Sequence, residues 1–396
     1  MAAPTPPWED LPADLVANIA SRLPCLADRH LMSRMYPAWR AAALLRPLPP
    51  PQLPWLLVPY RSAAILPPHA ASHRRASVFC ALCGDTHRVR VPRATGGARF
   101  FGSYQGGWVF LAHGQSCGHA VVNLRTGERV FLPDEVVWEA EARPRLPMLI
   151  RAAALSAPPV PVEGCVAAAI ATIIDPSFLA GPPHITFWRM GSQVASCALQ
   201  FDAEDVLHHG GAFHFLNRHG HLLVCTPLLQ QPLQMRMEFR RFAPQFQYRD
   251  EDVGARYLVE CGGELLMAMR LSHHHQGLTS GFRVFRMTHL QAGDGPNLPL
   301  ATYAWTEMPT LEGRMLFVGR GCSRSFEVND FPGVQEGVYF LDDGSFHAAP
   351  MISCGHGPRQ YGCCNNGHWT GLPDHVRHWF LHQPPSTYSA PVWILH

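Results

Sequence analysis

The residues most able to do chemistry cluster in "CALCGDTH", where Cys80 and Cys83 have the Cys-x-x-Cys spacing of a zinc knuckle and His87 follows. A closed zinc site needs four ligands. The next candidates along the chain, Cys117 and His119 in "CGH", fall on a later strand or loop, so the segment reads as a strand ending at a Gly-Asp turn. No metal and no other cofactor is expected. The run His273 to His275 in "SHHHQG" cannot aim all three rings at one ion in regular structure, and it reads as a loop between strands. In "FDAEDVLHH", Asp202, Glu204 and Asp205 lie close to His208 and read as a solvated turn. The stretches "GSYQGGW" and "RATGGAR" are rich in glycine but have neither a phosphate-loop lysine nor a dinucleotide-binding context, so they too read as turns.

Composition narrows the function further. With 32 Lys plus Arg against 30 Asp plus Glu, the formal net charge is +2, which gives no global field toward nucleic acid or an anionic membrane. The longest smooth apolar run, "CVAAAIATII" from Cys165 to Ile174, is too short to span a bilayer, and the start lacks the basic and apolar regions of a signal peptide. The expectation is a soluble intracellular protein of the cytoplasm or nucleus with neither nucleic-acid nor membrane partners. Twelve cysteines spread over 396 residues are then expected to be reduced thiols.

The elements that would position any site come in two kinds. In "WEDLPADLVANIASRLP", Pro12 suits a first helical turn, and Leu15, Val16, Ile19 and Leu23 follow at helical spacing. Further short helices are expected around Leu31 and Met32 and from Pro37 through Trp39 and Arg40. A unit this small buries little by itself and needs a neighbour or a partner. The proline-dense segment 48–68 favours extended backbone and is read as a linker or as an arm packed on the next domain. From 69 to 396, short apolar runs bounded by Gly, Pro, Asn and Asp read as strands. Gly-led strands recur at Gly106, Gly211, Gly262 and Gly313, with a diverged copy at Gly164. The interval is roughly 50 residues, the period of propeller blades of the kelch-like size class. The fold class expected is mainly β with a small all-α unit in front: three helices over 8–47, then a propeller of six or seven blades.

Two stretches match known families. The segment from Trp8 to Ala43 resembles an F-box through Leu11-Pro12, the Leu15/Ile19/Leu23 stripe and the pair Trp39-Arg40, although Met35, Tyr36 and Pro37 stand where that family generally has Val-Cys before the Trp. If Pro37 opens the third helix, no backbone bond is lost. The body is similar to the plant family called domain of unknown function 295, through Gly106-Gly107-Trp108, "NLRTGERVFLP" from Asn123 to Pro133, Val338-Tyr339-Phe340 with Asp342, and the ending "PVWIL". The resemblance implies a non-catalytic substrate receptor of a Skp-cullin-F-box ubiquitin ligase. Leu11, Pro12, Leu15, Ile19, Leu23 and Trp39 would meet the Skp-family adaptor, and the propeller would hold a protein substrate. The alternative is a propeller that acts as a lectin, an enzyme or a simple binding protein with no ligase role.

Overall fold

The structure is a computed structural model that describes residues 8–23, 25–44, 52–59, 73–138, 145–174, 181–228, 233–243, 252–272, 277–290, 302–331, 333–347, 352, 359–371 and 375–396. The triple histidine His273–His275 and most of the proline-dense segment fall outside them.

Three helices come first: α1 (Ala13–Arg22), α2 (Leu26–Met35) and α3 (Pro37–Leu44). Pro37 is the first residue of α3, where its missing N–H is not needed, and Tyr36 before it is extended with φ −138° and ψ 147°. The sheets follow, six in number, and they form a six-bladed propeller.

Each blade is a sheet of short strands, antiparallel throughout except in the third and in the sixth, where Arg314–Val318 pairs parallel with Gly337–Phe340. The second blade runs Arg99–Tyr104, Trp108–Ala112, His119–Asn123 and Arg129–Phe131 in chain order, and the fourth and fifth repeat that plan from Ala203 to Arg240 and from Val253 to Glu307. The third departs from it. Its strand Glu135–Trp138 pairs antiparallel with Leu146–Leu155 and parallel with Val194–Gln200, so the sheet closes on itself. The sixth blade has five strands between Arg314 and Trp379.

The glycine repeat has a simple structural meaning. Strands Trp108–Ala112, Val166–Ile173, Ala212–Asn217 and Glu264–Ser272 are the second members of antiparallel pairs in four consecutive blades, whereas Gly313 leads the first strand of the sixth, Arg314–Val318. The tight turn before the strand needs left-handed backbone, as at Gly262 (φ +59°) and Gly263 (φ +86°), which a side chain rarely tolerates. The apolar run around Val166–Ile173, too short to cross a membrane, is one of these strands and is buried along its whole length.

The ring closes at the first blade. Strand Val392–Ile394 pairs with Trp55–Leu57, which pairs with His73–Cys80, followed by Thr86–Pro92. Residues 55–57 of the proline-dense segment are therefore a sheet strand, and the first blade begins ahead of residue 69.

Alternation along the strands sorts side chains into six large apolar clusters, each shared by two neighbouring blades. Leu56 and Trp393 face Met315, Phe317 and Tyr339 of the sixth blade. Their neighbours Trp55, Leu57, Val392 and Ile394 face Phe100, Val109 and Leu111 of the second. Trp393 also donates its Nε1–H to the Val318 carbonyl at 2.8 Å, which fixes the last strand to the blade beside it.

Candidate functional site

Two parts of the molecule could carry function: the outer face of the helical unit and the axis of the propeller. The helical unit has a small core of its own. Val16 from α1 and Met32 from α2 are buried together, with Leu11, Ala20, Leu23 and Trp39 packed around them. Trp39 donates its Nε1–H to the Trp8 carbonyl at 2.9 Å and meets Tyr36 edge-on, so it braces the entry turn against α3.

The apolar stripe read from the sequence thus divides. Leu11 and Leu23 contribute to the internal core, and Val16 fills it. Leu15 and Ile19, one helical turn apart, remain 47% and 39% exposed. Pro12 is exposed just ahead of α1, and its carbonyl accepts the Val16 N–H at 3.1 Å. A second exposed pair, Leu31 and Met35, occupies α2 at the same four-residue spacing.

At the propeller axis, the structure assembles charged groups that the sequence did not mark. Arg99, Arg151, Asp205, Arg256 and Arg320 come from five different blades, each lying on or directly after a strand near the axis. All but Arg151 are buried. Arg99 reaches out of the second blade to the Ile150 carbonyl of the third at 2.8 Å and also donates to the Gln115 carbonyl. Arg151 donates to the Phe346 carbonyl, and Arg151 and Arg320 both lie over the Phe346 ring, at 4.1 and 3.9 Å. The Arg320 guanidinium donates to the Glu204 carbonyl.

Asp205, which the sequence suggested lay in a solvated turn, is 1% exposed. Its carboxylate accepts N–H groups from Val206 of its own blade, Leu258 of the fifth and Gly321 of the sixth, at 2.7–2.8 Å. Tyr257 and Arg270 of the fifth blade likewise converge on Asp343 of the sixth, at 2.9 and 3.1 Å. Each group is engaged by backbone or by an opposite charge from another blade. Chemically, that arrangement stitches blades together at their crowded inner edges. The only sequence signal was a charge interrupting an apolar run, as in "LIRAAAL" and "ARYLVEC".

His119 also has a structural role. Its Nδ1–H donates to the Asp134 carboxylate at 2.6 Å, and its Nε2 accepts the Ile150 N–H at 3.4 Å. Burial lowers the affinity of the ring for a proton and outweighs the pull of Asp134, so the imidazole is neutral. Burial alone would raise the Asp134 carboxyl, but bonds from the His119 ring and from the His119 and Gly118 amides bring it down to about 2. His119 therefore does not join Cys80 and Cys83, and Cys117 is exposed elsewhere.

Two residues of the sequence motifs, Asn123 and Asp342, also act through backbone. The Asn123 side-chain oxygen accepts the N–H groups of Arg125 and Thr126 at 2.9 and 3.1 Å, closing the turn that ends at Gly127. Asp342 accepts those of Cys364 and Asn365, both at 3.0 Å.

These features define a six-bladed β-propeller with a helical unit attached. Residues 78–365, more than two thirds of the chain, match the model of the KIB1-4 beta-propeller family, and the chain belongs to that family. No curated protein matches the sequence. Among solved structures, it is similar to the N-terminal domain of Nup159, at 10% identity over 82% of this chain and 71% of that one, with a TM-score of 0.31. It is also similar to a chain in the S. cerevisiae complex of Dbp5 with Nup159, Gle1, IP6 and ADP, at 9% identity over 86% and 76%, with a TM-score of 0.32. Likenesses as loose as these carry nothing further about this chain.

Proposed function

We propose that the chain is a non-catalytic substrate receptor of a Skp-cullin-F-box ubiquitin ligase, with the helical unit docking onto the Skp-family adaptor and the propeller holding a protein substrate. The observation that carries this reading is the pair Leu15 and Ile19, left exposed on α1 while the unit's core is already filled by Val16 and Met32. An amphipathic helix with spare apolar side chains at i and i+4 is suited to an apolar groove. The resemblance of Leu11-Pro12 and Trp39-Arg40 to an F-box supports the choice of partner, and Pro37 at the start of α3 leaves that helix intact. The non-catalytic reading is supported by the axis, where Arg99, Asp205, Arg270 and Asp343 are engaged by neighbouring blades.

The test is the double variant Leu15→Asp/Ile19→Asp, assayed by calorimetry against a Skp-family adaptor. Each side chain contributes roughly 1.5–3 kcal/mol when buried, so affinity should fall by about a hundredfold or more. The thermal transition of the propeller should not move. Unchanged affinity would show that this face is not the docking surface.

A further inference from the structure

The helical unit and the first blade meet at a group of side chains that the sequence only half revealed. Cys80 ends the strand His73–Cys80, Cys83 lies in the turn, and His87 is the second residue of the returning strand Thr86–Pro92. The fourth member comes from upstream: Cys25, the residue that caps α2. The three sulfurs and a ring nitrogen of His87 all lie within 4.8 Å of one another. His87 Nε2 is 3.2 Å from Cys25 Sγ and 3.1 Å from Cys83 Sγ. In a tetrahedral site with zinc–sulfur bonds of about 2.3 Å, neighbouring ligand atoms are about 3.5–3.8 Å apart, so small movements would complete the geometry.

The turn after Cys80 is tight: the Cys80 N–H donates to the Asp85 carbonyl at 3.0 Å, the Gly84 N–H donates to the Cys80 carbonyl at 2.9 Å, and Gly84 has φ +73°. Cys25 and Cys80 are buried, Cys83 and His87 half-buried, so the group is shielded yet reachable. Three thiolates and one imidazole suit zinc far better than a hard cation such as magnesium or calcium.

We propose that Cys25, Cys80, Cys83 and His87 bind one zinc ion, which fastens the helical unit to the first blade. Three ligands belong to the blade and one to the helices, so the ion spans the two regions as a cross-link. This proposal does not depend on what α1 docks onto.

The experiment uses the full chain, produced with zinc in the medium and purified in reductant without chelator. Elemental analysis should find one zinc per chain. Replacement by cobalt should give the intense visible absorption of a tetrahedral thiolate site. Cys25→Ser and Cys83→Ser should each lose most of the metal, whereas Cys117→Ser should keep it all. His87→Cys, which preserves four ligands, should retain zinc even if a serine variant proves too unstable to purify. A chelator should make the helical unit separable from the propeller by limited proteolysis. The proposal is overturned if the wild-type chain neither contains nor takes up zinc, or if a Cys25–Cys80 disulfide stands in its place. Full zinc in Cys25→Ser would remove the fourth ligand and with it the cross-link.

Discussion

The propeller and the helical unit solve the problem of apolar surface in opposite ways. In the propeller, both faces of every blade are covered by neighbours, through six clusters each shared between two sheets. The helical unit has one small cluster centred on Val16 and Met32, and it leaves Leu15, Ile19, Leu31 and Met35 exposed. A ring completes itself, while three short helices do not. The lesson is that the stable scaffold and the unsatisfied surface are segregated into different parts of the chain.

The sharpest way to break this contrast is to open the ring. Deleting residues 391–396 removes the strand Val392–Ile394 and exposes Trp55–Leu57 as a free edge. The expected result is aggregation or loss of a cooperative thermal transition; a truncated chain that melts like the parent would show that closure is dispensable.

A smaller effect should follow from Asp205→Ala, which strands the N–H groups of Val206, Leu258 and Gly321 at the axis. Each buried unpaired group costs about 1–3 kcal/mol, so urea denaturation should report a loss of at least about 3 kcal/mol in the propeller. Hydrogen exchange across the helical unit should not change.

Val16→Ala probes the other region. The lost burial of a valine side chain is at most about 3 kcal/mol, and it should be felt by the helices alone. Hydrogen exchange should speed up across residues 13–44 while the blades keep their protection.

The smallest effect is a pH dependence. Asp134 has its proton affinity lowered from the ordinary 3.8 to about 2 in the folded chain. Its contribution to stability is therefore present above about pH 4 and lost as the pH falls toward 2. The side chain is 43% exposed, so solvent screens the effect. Asp134→Asn should flatten that part of the stability profile, and an unchanged profile would place the acid sensitivity elsewhere.

Much of the fold was legible because it repeats. The Gly-led strands announced the blades, since the turns that lead into them take left-handed backbone at Gly106, Gly211, Gly262 and Gly313 alike, and "PVWIL" could be read as a closing strand. Other features were hidden by distance. Trp55–Leu57 sits among prolines that argue against a sheet, and only its partners at Val392–Ile394 and His73–Cys80 make it a strand. The axial residues Arg99 and Asp205 look like surface charges until the blades are arranged in a ring. For the candidate docking face, helical spacing placed Leu15 and Ile19 on one stripe with Val16 and Leu23, but it could not say which would face inward. At the cysteine group, the next candidate ligands after His87 in the sequence are Cys117 and His119. The nearby thiol was Cys25, brought in from the helices.

The shared sheet of the first blade also bears on the order of events during synthesis. Its inner partner, Val392–Ile394, leaves the ribosome only after every other blade has been made. The hairpin His73–Pro92 and the helices must therefore wait, with one sheet edge and one apolar face uncovered, through most of translation. The nascent chain is most vulnerable to wrong pairing in that interval, and a mutation that slows release of the last strand would lower yield without altering the stability of molecules that finish.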